Sequence, residues 1–252
     1  MGPSSSNRVW GIHAIRALLK EAPTRLVALR FCATRHDARV AELLALSQSA
    51  GVKTLRVPPA ELERLAPGAV HQGVVADIRP LEPWDEAKLL AGCAAAENPL
   101  LLVLDGVQDP HNLGACLRTA NACGALAVVV PRDRAAQLNA TVRKVAAGAA
   151  EFTPVVAVTN LARALRLLKD AGLWIVGADP GASQCAAAAD LTGGCALVLG
   201  AEGGGLRELT RKTCDLRVRL PAVGQVESLN VSVAAGMLLY EARRQREARN
   251  KN

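Results

Sequence analysis

Aromatic side chains are scarce in this chain: two Phe, three Trp and one Tyr among 252 residues. A platform of stacked rings, on which sheet-type RNA readers lay out bases, is hard to assemble from so few. No run of ~18 uninterrupted apolar residues occurs, so no membrane-spanning helix is expected. The opening Met-Gly-Pro-Ser-Ser-Ser-Asn is polar and lacks the apolar core of a secretion signal. There is no CxxC pair and no Cys/His group with zinc spacing, so no metal site is expected. The seven cysteines, at 32, 93, 116, 123, 185, 195 and 214, are odd in number and scattered. They read as small apolar core residues of a protein in the reducing cytoplasm. The absence of a GxxxxGK[ST] loop argues against an NTPase.

Hydrophobic residues make up 50% of the chain and charged residues 21%, enough apolar material for a sizeable core. The length suits one large domain or two smaller ones. Lys and Arg number 30 against 23 Asp and Glu, a net charge of +7. Of the basic residues 23 are Arg, which suits bidentate phosphate contacts. Nucleic acid is therefore the first partner to consider, though the charge is spread over both halves with no basic tail.

Residues 8–79 alternate helical and strand patterns, with strands expected at 26–31, 52–57 and 73–78 and helices at 12–20, 37–49 and 60–65. Residues 1–7 read as a disordered N-terminus. Pro80, Pro83 and Trp84 mark a break, and 80–97 reads as a linker with its own short helix. From 98 to 252 strands and helices alternate again, and the strands are continuously apolar, as in Leu100–Leu104. That pattern predicts an open α/β domain with a parallel sheet covered on both faces. Ligands in such sheets lie at the carboxyl ends of the strands, so the loops after Leu104, Leu199 and Leu220 matter most.

The first loop runs Asp105-Gly-Val-Gln-Asp-Pro-His-Asn112-Leu-Gly-Ala-Cys-Leu-Arg118 into a helix for which Asn112 is the expected cap. A capping Asn followed by a solvated Arg is the simpler local reading. The second, Gly200-Ala-Glu202-Gly-Gly-Gly205, sets four glycines around one carboxylate. Glycines allow close backbone approach and present N–H groups to a ligand. The spacing is not the GxGxxG of dinucleotide enzymes, and Glu202 would repel a pyrophosphate, so an uncharged or cationic ligand is indicated. The third, Leu220-Pro-Ala-Val-Gly-Gln-Val-Glu-Ser228-Leu229-Asn230-Val-Ser232, opens the last helix with Ser228 or Asn230 as its cap.

In this combination and order the three loops resemble the SpoU branch of the SPOUT RNA 2′-O-ribose methyltransferases, over roughly residues 98–248. The patterns Gly11-Ile-His13-Ala-Ile, His71-Gln72-Gly73-Val-Val-Ala and Gly148-Ala-Ala-Glu151 are similar to the bacterial subgroup that methylates a guanosine of 23S rRNA, in the peptidyl-transferase P loop. The resemblance implies a trefoil-knotted C-terminal SPOUT domain at 98–252 and a small N-terminal L30e-like α/β domain at 8–79 that binds substrate RNA. It implies a homodimer and S-adenosyl-L-methionine as cofactor, held by Gly200, Leu220 and Leu229. It implies catalytic roles for Asn112, Arg118, Glu202, Ser228 and Asn230. Arg118 is the family's proposed base. A free guanidinium has a pKa above ~12, so electrostatic stabilisation of a developing alkoxide is an equally good role. Glu202 could organise the loops or meet Arg118 or the donor. The implied partner is 23S rRNA or a large-subunit precursor, with neither membrane nor DNA.

The alternatives are a tRNA guanosine-2′-O-methyltransferase, a non-catalytic RNA-binding assembly factor, and a nicotinamide-dependent oxidoreductase using residues 200–205. Short helical extensions are usual in the tRNA enzymes, so a separate first domain favours rRNA. Cys116, Cys123 and Ala222 depart from the family's usual Ile, Phe and Met at packing positions, and no motif residue of the catalytic set is missing.

Overall fold

The computed structural model describes residues 8–225 and 228–249. The expected disordered segment 1–7 lies outside them. The chain divides into two compact units, Met1–Glu82 and Pro83–Asn252.

The first unit holds β1 (Arg8–Trp10), α1 (Ile12–Glu21), β2 (Leu26–Cys32), α2 (Ala38–Ser49), β3 (Thr54–Val57), α3 (Pro59–Leu65) and β4 (Val74–Ile78). Its sheet runs β1-β4-β2-β3, with β4 antiparallel to both neighbours and β2 parallel to β3. The apolar face of α1, Ile12, Ile15, Leu18 and Leu19, is buried as its spacing predicts. On α2 the apolar residues Val40 and Leu43 are buried, while Leu44 and Leu46 are half-buried. Ser47 takes the inner position instead, its hydroxyl donating to the Leu43 carbonyl at 2.6 Å. Strand β1 escapes sequence reading because three residues carry no periodicity. It is fixed by charge: Asp77 on β4 is buried between Arg8 of β1, at 3.1 Å, and Arg30 of β2. One carboxylate thus ties three strands.

The second unit opens with α4 (Glu86–Ala95), inside the stretch expected as a linker. Leu89 and Cys93 bury its inner face, and Glu86 pairs with Arg163 at 2.6 Å. There follow β5 (Leu100–Asp105), α5 (Pro110–Ala122), β6 (Ala127–Pro131), α6 (Ala140–Val145), β7 (Val155–Val158), α7 (Leu161–Asp170), β8 (Trp174–Ala178), β9 (Gln184–Cys185), β10 (Cys195–Gly200), α8 (Glu208–Thr213), β11 (Leu216–Arg219) and α9 (Val231–Arg249). All seven strands are parallel, in the order β7-β6-β5-β10-β8-β11-β9. The continuous apolar runs are explained by alternation. On β5, Leu100, Leu102 and Leu104 join one core with α5, α6 and α9, while Leu101 and Val103 join the other with α4 and α7. Both faces are covered, so neither can be polar.

Two helix starts are set by their caps. The helix after β6 is confined to Ala140–Val145, because Arg134 turns left-handed at φ +56° and Asn139 caps the helix from outside, accepting the Val142 N–H at 2.9 Å. And α5 begins at Pro110, capped not by Asn112 but by Asp109, which accepts the His111 N–H at 2.9 Å. Asn112 therefore sits inside the first turn with its side-chain amide free for other work. Among the described residues no helix is long and apolar enough to cross a membrane.

Candidate active site

The carboxyl ends of β5, β10, β8 and β11 carry the three loops. Strand β10 ends at Gly200, paired in register with Asp105 on β5. The chain then doubles back: Gly205 N–H donates to the Ala201 carbonyl at 3.0 Å, with Gly203 and Gly205 at φ +75° and +60°. The returning backbone lies so close that a Cβ on Gly200 would stand 2.0 Å from the Gly205 carbonyl carbon. Glycine at 200 is a steric requirement of the loop.

Asp105, fully buried, holds the loop's far end. Its Oδ2 accepts the Arg207 backbone N–H at 2.9 Å, and its Oδ1 faces the Arg207 guanidinium at 3.4 Å. The two ends of the glycine loop are thus fastened at one rung of the sheet. Sequence reading placed Asp105 at the head of its motif but gave it no role. The available signal was a charge directly after a five-residue apolar run.

From this loop Glu202 projects toward α5 and α9. Its Oε1 accepts from the Asn112 amide at 3.0 Å and from the Asn230 amide at 2.7 Å. The Asn230 amide also donates to Asn112 Oδ1 at 3.1 Å, which closes a three-membered ring. Asn230 is held in turn by capping α9: its Oδ1 accepts the Ser232 N–H at 2.9 Å and the Ser232 hydroxyl at 2.6 Å. Of the two cap candidates, Asn230 is the one that caps. The carboxylate is met by two charge-assisted bonds from fixed amides, and it carries negative charge at the rim of a cavity.

That cavity has a volume of about 500 Å³. Gly200, Leu220 and Leu229 line it, as do Ser228, Glu202 and Asp179. No lysine or arginine is among its described lining residues, and the Asp179 carboxylate is met from outside by Arg217 at 3.0 Å. The space is of small-ligand size and apolar on most walls, with acidic groups at its edge. An uncharged base and ribose joined to a sulfonium cation fit that description, and a polyphosphate does not. S-adenosylmethionine thus suits the residues present.

Arg118 stands apart. It is exposed on α5 and makes no hydrogen bond or ion pair with any described residue. Six residues beyond Asn112 on a helix, it points from a different face. Ser228 lines the cavity, exposed and likewise without a hydrogen-bond partner among the described residues. The structure therefore joins Asn112, Glu202 and Asn230 directly, sets Ser228 beside them on the cavity wall, and leaves Arg118 presented to solvent. Cys116, beneath the first motif, is not a nucleophile: burial pushes its thiol up to about 12.

A doubly covered parallel sheet with an acidic-rimmed donor pocket at its carboxyl edge defines a ligand-binding α/β catalytic unit, here joined to a separate small mixed-sheet unit. Residues 99–240 match the SpoU rRNA Methylase family, and residues 8–84 match the RNA 2′-O ribose methyltransferase substrate binding family. The chain belongs to the SpoU rRNA methylase family. It is 49% identical over 243 residues to the 23S rRNA (guanosine-2′-O-)-methyltransferase RlmB of Photobacterium profundum, covering 96% of this chain and 99% of that one. It is 48% identical over 241 residues to the RlmB of Escherichia coli K12, with 96% and 99% covered. Among solved structures, the SpoU methyltransferase AviRb from Streptomyces viridochromogenes in complex with the cofactor AdoMet superposes with a TM-score of 0.71 at 25% identity, over 96% of this chain and 90% of that one.

Proposed function

We propose that the chain transfers a methyl group from S-adenosylmethionine to the ribose 2′-oxygen of a guanosine in 23S rRNA, in the peptidyl-transferase P loop. The observation that carries the reading is the ring of Asn112, Glu202 and Asn230 on the rim of a cavity suited to a cationic donor. Relatives at about half identity over nearly the whole chain support the substrate.

When bound, the cofactor supplies an electrophilic methyl on a sulfonium sulfur. Gly200, Leu220 and Leu229 hold it, by close backbone approach and apolar walls. Glu202 favours a cation at the cavity rim and is kept in place by the two amides. Arg118, with no partner among the described residues, is free to meet the RNA. It lowers the energy of the alkoxide that forms as the 2′-hydroxyl loses its proton. Ser228, on the cavity wall with no hydrogen-bond partner among the described residues, orients the ribose hydroxyl by hydrogen bonding.

The reading includes a homodimer. Val233, Met237 and Tyr240, at 50%, 44% and 65% exposure, form an apolar stripe at i, i+4 and i+7 along α9. It also includes a trefoil knot, supported by the return of β10 between β5 and β8, and action in the cytoplasm, where ribosomes are assembled. The deciding experiment is transfer from labelled S-adenosylmethionine to protein-free 23S rRNA by wild type and Arg118→Ala, with the site mapped. One guanosine methylated by wild type alone is expected. Transfer to tRNA and not to rRNA would move the protein to the tRNA branch.

A further inference from the structure

We propose that the loop joining β6 to α6, residues 132–139, grips the phosphate backbone of the substrate RNA next to the methylated nucleotide, through Arg132 and Arg134. The inference rests on the reading of the chain as an RNA methyltransferase and assigns part of its substrate site.

Position is the first argument. In the order β7-β6-β5-β10, the carboxyl end of β6 is one strand from the loop that carries Asn112 and two strands from Gly200. At ~4.8 Å per strand the 132–139 loop starts roughly 10 Å from the strand that ends at the donor cavity. Donor cavity, amide ring and β6 loop follow one another along a single edge of the sheet. An RNA strand with its ribose at the ring passes over this loop.

Charge is the second. Arg132 and Arg134 are exposed and make no side-chain hydrogen bond or ion pair with any described residue. Elsewhere in the unit several cations are matched within the chain, Arg163 by Glu86, Lys169 by Asp215, Arg207 by Asp105 and Arg217 by Asp179, while Arg118 on α5 and Arg166 on α7 are two more with no ion pair among the described residues. The guanidinium fork suits phosphate oxygens. Asp133, also exposed and with no partner among the described residues, lies between the two arginines and is the one opposing charge in the loop.

Rigidity is the third. The Gln137 side-chain amide reaches the carbonyls of Pro131, Arg132 and Ala135 at 2.8, 3.3 and 3.2 Å. The Ala136 N–H donates to the Val107 carbonyl at 2.8 Å, which fastens this loop to the one bearing Asn112. Arg134 is held left-handed, an uncommon conformation for a residue with a side chain. A loop braced in this way presents its two cations already ordered, so little freedom is lost when RNA binds.

The test is the affinity of the full chain for protein-free 23S rRNA as a function of salt, for wild type, the double variant Arg132→Ala/Arg134→Ala, and Arg166→Ala. Arg166 is an exposed cation on α7 with no ion pair among the described residues, and its loss removes one charge elsewhere, half of what the double variant removes. Each phosphate contact contributes a slope of about 0.7 in log K against log salt for a single strand. The double variant should therefore lose about 1.4 from the slope, match wild type near 1 M salt and bind about 25-fold more weakly at 0.1 M. Asp133→Asn should tighten binding. S-adenosylmethionine affinity and melting temperature should stay at wild-type values in all of them. An unchanged slope in the double variant, or an equal loss in Arg166→Ala, overturns the assignment, while transfer by wild type keeps the methyltransferase reading. A loop-dependent slope in a wild type that transfers no methyl group to RNA has the opposite meaning: the grip stands and the methyltransferase reading falls.

Discussion

Replacing Gly200 by Ala should cost the protein its methyl donor before it costs the fold. The added methyl would lie 2.0 Å from the Gly205 carbonyl carbon and 2.1 Å from its oxygen. Carbon atoms rest at about 3.5 Å, so the returning arm of the loop must retreat by about 1.5 Å. Asp105 and Arg207 fasten the loop's far end and the β10 ladder fastens its start, so the movement falls on residues 201–205. Glu202 rides on that segment. Its bonds of 3.0 and 2.7 Å to Asn112 and Asn230 would then stretch beyond hydrogen-bond range. Overpacking of this kind typically costs about 1–3 kcal/mol. At 2–4 °C per kcal/mol for a unit of this size, that lowers the melting temperature by about 2–12 °C. Donor binding loses both the shape of the cavity wall and the placement of Glu202, and an expected loss of 10- to 100-fold corresponds to about 1.4–2.8 kcal/mol. Titration calorimetry with S-adenosylmethionine beside a thermal melt reads both quantities. Donor affinity within twofold of wild type would refute the argument that close backbone return at Gly200 shapes the site.

Asn112→Asp should reduce methyl transfer at least 100-fold with a near-normal melt, because it sets a second carboxylate against Glu202 and removes a donor from the ring; steady-state kinetics with rRNA checks it. Asp77→Ala should destabilise the first unit by about 3 kcal/mol, since it removes the shared carboxylate of two partly buried arginines and leaves Arg30 with Glu61 at 3.9 Å and Arg8 with the Leu65 carbonyl, and a denaturant melt showing less than about 1 kcal/mol would count against the buried cluster. The Cys116, Cys93 and Cys214 thiols, pushed up by burial to about 12, 11 and 11, stay protonated at pH 8, so native protein should resist alkylation there at all three. Their folded-state values lie above the unfolded ones, so any stability they contribute is lost only as the pH rises past the unfolded thiol range.

Much of this architecture is legible in the sequence because a parallel sheet covered on both faces leaves continuous apolar runs, as at Leu100–Leu104. Gly200, Leu220 and Leu229 are named by the family resemblance rather than by periodicity, and the structure sets all three on the wall of one cavity. What escapes is set by contacts across long stretches of chain. The role of Asn112 is misjudged locally because an Asn near a helix start is a good cap, and only the structure shows that Asp109 has taken that place. The charge of Asp105 after an apolar run marks the position, but its role stays hidden because its partner, Arg207, lies 102 residues away. The short strand β1 and the loop 132–139 are fixed by an ion cluster and by one glutamine, neither of which leaves a periodic trace.

The amide ring draws its members from positions 112, 202 and 230, and the last of these opens the final helix. During synthesis every strand of the sheet is made before Asn230. Closure of the ring is in this sense a test of completion. A chain that stops short of residue 230 can hold every strand of the sheet and still lack the amide that closes the ring. Where donor binding needs the ring closed, its binding energy goes only to chains that have placed Asn230.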